Sequence, residues 1–145
     1  RIALATGARP GAIMGLTWDR VDFERNVINF NDQRLSKQDR RKGRAVVPMN
    51  KELAEYLSAW RAGDIRGPVI PRFDLNRLWR KHIKIARPHD LRHTVATEIA
   101  RRFGLLAAAN MLGHRSVRTT EQVYVHIKAD HLREAAEALG SLHSR

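Results

Sequence analysis

Apolar residues recur at helical spacing most plainly in the stretch PHDLRHTVATEIARRFG, where Leu91, Val95 and Ile99 fall four apart. Such spacing predicts one buried face of a helix that Pro88 opens, its fixed φ suiting a first helical turn, and that Gly104 stops. Arg1 to Ala5 reads as the last turn of a helix ended by Thr6-Gly7, so the chain reads as a fragment that starts inside its first helix. A short helix is expected from Pro10 to about Leu16. Trp18 to Phe30 alternates apolar and polar residues about a turn at Glu24-Arg25-Asn26, predicting two strands, and Ala45 to Pro48 returns as a third. Between them, Asn31 to Arg44 is a polar, basic hairpin.

Beyond Asn50, which can cap, Leu53, Tyr56, Leu57 and Trp60 form one apolar stripe on a scaffold helix that Gly63 terminates. Gly67, Pro68 and Pro71 mark a loop. Asp74 can cap a helix with Leu75, Leu78, Trp79 and Ile83 on one face and Arg77, Arg80, Lys81 and Lys84 on others. Leu105 to Leu112 is a short apolar helix, and Gly113 allows a tight turn. Thr119 with Gln122 fits a capping box, and Asp130 can cap a last helix striped by Leu132, Ala135, Ala136 and Leu139. The fold class predicted is mainly α with a small antiparallel β-sheet (α+β), in one domain.

Composition narrows the partner. The 145 residues hold 27 Lys and Arg against 15 Asp and Glu, a formal charge of +12. An excess of this kind favours a polyanion, because each phosphate neutralised releases condensed counterions. A basic patch for anionic lipid fits less well, since no basic amphipathic helix with a large apolar face stands out. The absence of cysteine excludes a disulfide framework and a thiolate metal site. With no apolar run of membrane-spanning length and no signal peptide, the expected compartment is the cytoplasm.

The central helix also carries chemistry. His89, Arg92 and His93 share a face in its first turn, where backbone N–H groups and the helix dipole favour an anion. Arg92 can donate two parallel hydrogen bonds to phosphate oxygens. LGHRS downstream supplies His114, and TTEQVYVH supplies Tyr124, a phenol able to serve as a nucleophile. Each element alone matches an ordinary solvated or core residue; their order, together with Arg9 in ATGARPGAIMGLTW, is the specific signal.

The set Arg9, His89-Asp90-Leu91-Arg92-His93, Leu112-Gly113-His114 and Tyr124 resembles the catalytic domain of the tyrosine recombinases, the phage-integrase family, over nearly the whole chain. The resemblance implies that Arg9 and Arg92 clamp the scissile phosphate and that Tyr124 attacks it to give a 3′-phosphotyrosyl link and a free 5′-hydroxyl. It further implies that a hairpin lysine is the general acid. Lys42 ranks first for that role, Lys37 second, and Arg40 occupies one plausible register. His89 is the candidate base, His114 a hydrogen-bond donor to the phosphate, and His93 a supporting or structural residue. One departure is Ala12, where the family usually has a carboxylate that orients the arginine.

From the same resemblance follow double-stranded DNA as partner, a homotetramer on paired sites, no cofactor and no metal, and an N-terminal DNA-binding domain lying outside this chain. Tyr56, the other tyrosine, falls in the stripe of the scaffold helix. Two other readings share many of these residues: a type IB topoisomerase that relaxes supercoils, and a catalytically degenerate DNA-binding module.

Overall fold

The computed structural model describes residues 1–35, 44–61, 66–71 and 73–114. Among them, α1 (Ile2–Thr6) and α2 (Pro10–Met14) lead through a 3-10 turn at Trp18–Arg20 into β1 (Val21–Asp22), β2 (Val27–Asn29) and β3 (Val46–Pro48). Then come α3 (Lys51–Trp60), α4 (Leu75–His82) and α5 (Asp90–Leu112). The strands form one antiparallel sheet in the order β1-β2-β3, with Val21 opposite Ile28 and Ile28 opposite Val47. The expected helix-rich fold with a small antiparallel sheet is what forms.

Alternation sets the sheet. Ile28 and Val47 point inward and are essentially fully buried, while Asn29 and Val46 beside them face out. The turn between β1 and β2 places Asn26 at φ 52, a left-handed conformation asparagine tolerates better than most residues. The main core joins this inward face to Ile13, Leu16, Phe30, Leu53 and Leu57. A second cluster, Ala96, Ala100, Ala108 and Leu112, lies along α5.

Caps fall where their side chains allow. The Asn50 side chain accepts from the Leu53 N–H at 2.9 Å, and Asp74 accepts from Arg77 N–H at 2.9 Å. Gly7 closes α1 in the left-handed conformation, φ 62, and a Cβ there would fall 2.7 Å from Leu112 Cδ2. That close approach seats α1 against α5. Thr6, fully buried, donates to Ile2 O at 2.7 Å and accepts from Ala8 N–H at 3.2 Å, so its hydroxyl is satisfied within the turn.

Two expectations shift, and one at Gly104 holds. α5 begins at Asp90 rather than at Pro88: Asp90 N–H donates to Arg87 O at 2.9 Å and its carboxylate accepts from Arg87 N–H at 2.7 Å. Pro88 therefore occupies the second position of a turn, a place its fixed φ also suits. At Gly104, φ 86 and ψ 166, the helix stops as expected, and α5 is two helical arms that meet at this kink, the second being the expected short apolar helix to Leu112. The stripe of α3 is only half core. Leu53 and Leu57 are buried, whereas Tyr56 and Trp60 line an apolar groove of about 470 Å³ shared with Trp79 and Leu91.

Candidate active site

Arg9 stands at the N-cap of α2 with an extended backbone, φ −62 and ψ 140, which the following proline enforces. Its carbonyl accepts from Ala12 N–H at 2.8 Å and Ile13 N–H at 3.1 Å, fixing where the side chain leaves the helix end. The side chain lines a small cavity together with Ala12, Phe30, Arg44, Arg92 and Met111. Burial first, and then the positive charge of Arg44, lower the Arg9 pKa. Ala12, 4% exposed, packs in the core on this wall and brings no carboxylate to it.

Arg92 is buried, 5% exposed, and is held at both ends of its guanidinium. Nη1 donates to Gly7 O at 2.8 Å and Nη2 to Leu112 O at 2.7 Å. These carbonyls lie two residues before Arg9 and two before His114, so one side chain ties together the segments that carry the other candidates. These donors serve the protein itself, where the sequence suggested that the pairing of Arg92 would go to phosphate. A guanidinium held by neutral carbonyls keeps its charge, and in a low-dielectric setting that charge acts strongly on its neighbours.

His114 is presented by a helix-terminating turn. Gly113 adopts φ 65 and ψ 38, Gly113 N–H donates to Asn110 O at 3.1 Å, and His114 N–H donates to Ala109 O at 2.8 Å. This paired pattern satisfies the last carbonyls of α5 and fixes the His114 backbone. A Cβ on Gly113 would come within 2.7 Å of the Arg44 carbonyl carbon, so the turn is pressed against the chain entering β3. Burial, followed by the charges of Arg92, Arg9 and His93, lowers the His114 pKa to about 4. The ring is therefore neutral near pH 7.

His89 and His93 meet edge to face, with centroids 5.0 Å apart and planes at 83°. The His89 pKa is lowered by burial first and then by His93, Arg92 and Arg9, against a smaller opposite effect of Asp90. Beside it a groove of about 880 Å³ is flanked by Arg80, Lys84 and Arg87, with Trp79 and Ile83 along it. These basic residues are exposed.

Arg9, His89, Arg92 and His114 are thus brought together, and His93 joins them. Lys42, Lys37, Arg40 and Tyr124 lie outside the described residues, as do the capping box at Thr119 and the helix expected from Asp130. Sequence reasoning missed Arg44, which it placed only at the end of the hairpin, and the clamp on Arg92. The signal for the first was its position immediately before a predicted strand. Nothing in the sequence signalled the second, because its acceptors are backbone atoms. Among the described residues no group of three or more His, Asp or Glu is placed to hold a metal ion, and no helix is long and apolar enough to cross a membrane.

The phage integrase family matches residues 72–131, a span containing His89, Arg92, His114 and Tyr124. Tyrosine recombinase XerA of Saccharolobus solfataricus is 29% identical over all of this chain and 50% of its own length. Tyrosine recombinase XerC of Corynebacterium efficiens is 31% identical over 90% of this chain and 46% of its own. The chain thus spans about half the length of these relatives. A crystal structure of XerA recombinase superposes with a TM-score of 0.65 at 28% identity, covering 99% of this chain and 56% of that one. The Tn1549 transposon integrase, in complex with circular intermediate DNA, shares the fold at a TM-score of 0.69 and 24% identity, over 95% of this chain and 57% of that one. With the arginines and histidines of the motif gathered in one place and these similarities on the same residues, the chain belongs to the tyrosine recombinase (phage integrase) family.

Proposed function

We propose that this chain is the catalytic domain of a site-specific DNA recombinase that cleaves and rejoins duplex DNA through a 3′-phosphotyrosyl intermediate. The observation that carries this reading is the convergence of Arg9, Arg92 and His114, from three separated segments, with Arg92 bonded to the backbone of the other two segments. Transfer at phosphorus spreads negative charge over the equatorial oxygens, and fixed cations and N–H donors aimed at that charge accelerate it. The two guanidiniums supply the charge. His114, held neutral, offers an N–H to the phosphate without adding a mobile proton.

In this reading the Tyr124 oxygen attacks phosphorus, its proton passing to the neutral His89 ring, while the bond from phosphorus to the 5′-oxygen breaks. The departing 5′-oxygen takes a proton from the Lys42 ammonium, or from Lys37 if the hairpin register places that residue there. The phosphotyrosyl bond keeps the energy of the original linkage, so a 5′-hydroxyl of another strand can reverse the step without ATP. The basic groove past Arg80, Lys84 and Arg87 offers the backbone a path to this centre. Exchange between two sites calls for several protomers, a homotetramer in this reading, working in the cytoplasm on its DNA.

A nicked suicide duplex tests the reading, because loss of a short 5′-hydroxyl fragment traps the adduct. Covalent capture followed by joining to a second site is the expected result. Capture without joining would make it a simple relaxase of the topoisomerase kind, and binding without capture a degenerate module.

A further inference from the structure

We propose that Trp79 is a positioning residue for His89, its indole N–H holding the segment from which the His89 turn hangs, an inference that rests on the reading above. Indole Nε1 donates to Ala86 O at 2.6 Å, and the Trp79 carbonyl accepts from Ile83 N–H at 2.7 Å. One residue of α4 thus straps down both ends of the link Ile83-Lys84-Ile85-Ala86. Packing does little for that link, since Ile83 and Lys84 are exposed and Ile85 is 98% exposed. Hydrogen bonds rather than burial therefore set where it lies. Trp79 itself is half-buried, and an indole has only one polar group to satisfy, so the Ala86 carbonyl takes all the pairing it can offer.

Beyond Ala86 this order passes along the chain to the histidine. Arg87 N–H donates to the Asp90 carboxylate at 2.7 Å and Asp90 N–H to Arg87 O at 2.9 Å, which closes the turn around Pro88 and His89. His89 O accepts from Arg92 N–H at 3.1 Å, so α5 fixes the far side of His89, while the near side hangs on Ala86. The indole also walls the groove in which Pro10, Pro88 and His89 meet, Pro10 being the residue after Arg9. A general base must stand within about 3 Å of the proton it takes. A small swing of this turn would therefore remove the base and leave Arg92, clamped to Gly7 O and Leu112 O, in place.

The test is a double-mutant cycle on single-turnover capture by the full chain, with the nicked suicide duplex at saturating protein. Trp79→Phe removes the N–H and keeps an aromatic body in the groove. In the wild-type background it should slow capture about tenfold, because a shift of about 1 Å in a positioned group is costly. In the His89→Ala background, where there is no base to place, the same change should slow capture about twofold or less. Equal slowing in the two backgrounds, as a merely supporting role would give, or no slowing in the first, would overturn the proposal.

Imidazole titration followed by NMR decides the placement of His89 without cleavage. It serves where His89→Ala is too slow to measure, and where the wild type captures no DNA, a result that by itself sinks only the recombinase reading. Burial first, and then the charges of His93, Arg92 and Arg9 against that of Asp90, hold the His89 pKa below 6.5. In Trp79→Phe the released ring should leave these neighbours and titrate closer to 6.5, while His114, held by the Gly113 turn, stays at about 4. An unchanged His89 titration, or His89 and His114 moving together as in a generally loosened domain, would overturn the proposal.

Discussion

At the residue scale, Arg92 shows how one side chain can build a site as well as serve in it. Its bonds to Gly7 O and Leu112 O make the position of Arg9 and His114 depend on it. Arg92→Lys keeps the charge but replaces a planar fork by a point donor. Two buried carbonyls then compete for one ammonium, and unfolding in urea should show a loss of about 1–3 kcal/mol. His114 makes a different prediction. An unfolded imidazole titrates near 6.5 and the folded one at about 4, so between those values the unfolded state binds more protons. His114 therefore contributes its stabilisation fully above about pH 6.5 and loses it as the pH falls toward 4. The unfolding midpoint should fall across that window, and His114→Gln should flatten the fall. The residue types were legible in the sequence; the burial of Arg92 was not, since an arginine beside histidines reads as a group waiting for an anion rather than one already bonded to its own backbone.

At the scale of elements, the glycine inside α5 and the one that ends it do different things. Gly104, at φ 86 and ψ 166, occupies a region open essentially to glycine alone, yet among the described residues nothing lies within 4 Å of where a Cβ would sit. Gly104→Ala should therefore cost about 1–3 kcal/mol through the backbone only and leave the rate of DNA cleavage by folded protein unchanged. Gly113 has both a left-handed φ of 65 and the Arg44 backbone 2.7 Å from where a Cβ would sit. Gly113→Ala should displace the turn from the hairpin root, so cleavage falls about tenfold or more even where the protein remains folded, because a shift of about 1 Å in a positioned group is costly. Denaturation curves and single-turnover capture, read side by side on the two variants, separate these effects. Hydrophobic period and glycine placement made most elements readable, from Asn50 capping α3 to Gly113 ending α5. The start of α5 was not, because Pro88 suits a turn as well as a helix start and the Asp90 carboxylate, bonded to Arg87 N–H, favours the turn.

At the scale of the whole molecule, the sheet and α1 are the frame on which residues more than a hundred positions apart in sequence, Arg9 and His114, meet. That meeting is implied by the order of the short motifs along the chain, whereas the packing of the Arg44 backbone against the Gly113 turn needed the fold. The +12 charge belongs to this scale too. A charge of this size favours a polyanion, and in the proposed reading it draws the domain to DNA while the gathered arginines select one phosphate for chemistry. The measurement that bears most directly on that chemistry is the identity of the residue bonded to DNA in the trapped complex. After protease digestion, mass spectrometry should find the 3′-phosphate on the peptide containing Tyr124, and Tyr124→Phe should bind the duplex with unchanged affinity while forming no adduct. A label on the Tyr56 peptide, or full adduct formation by Tyr124→Phe, would contradict the mechanism.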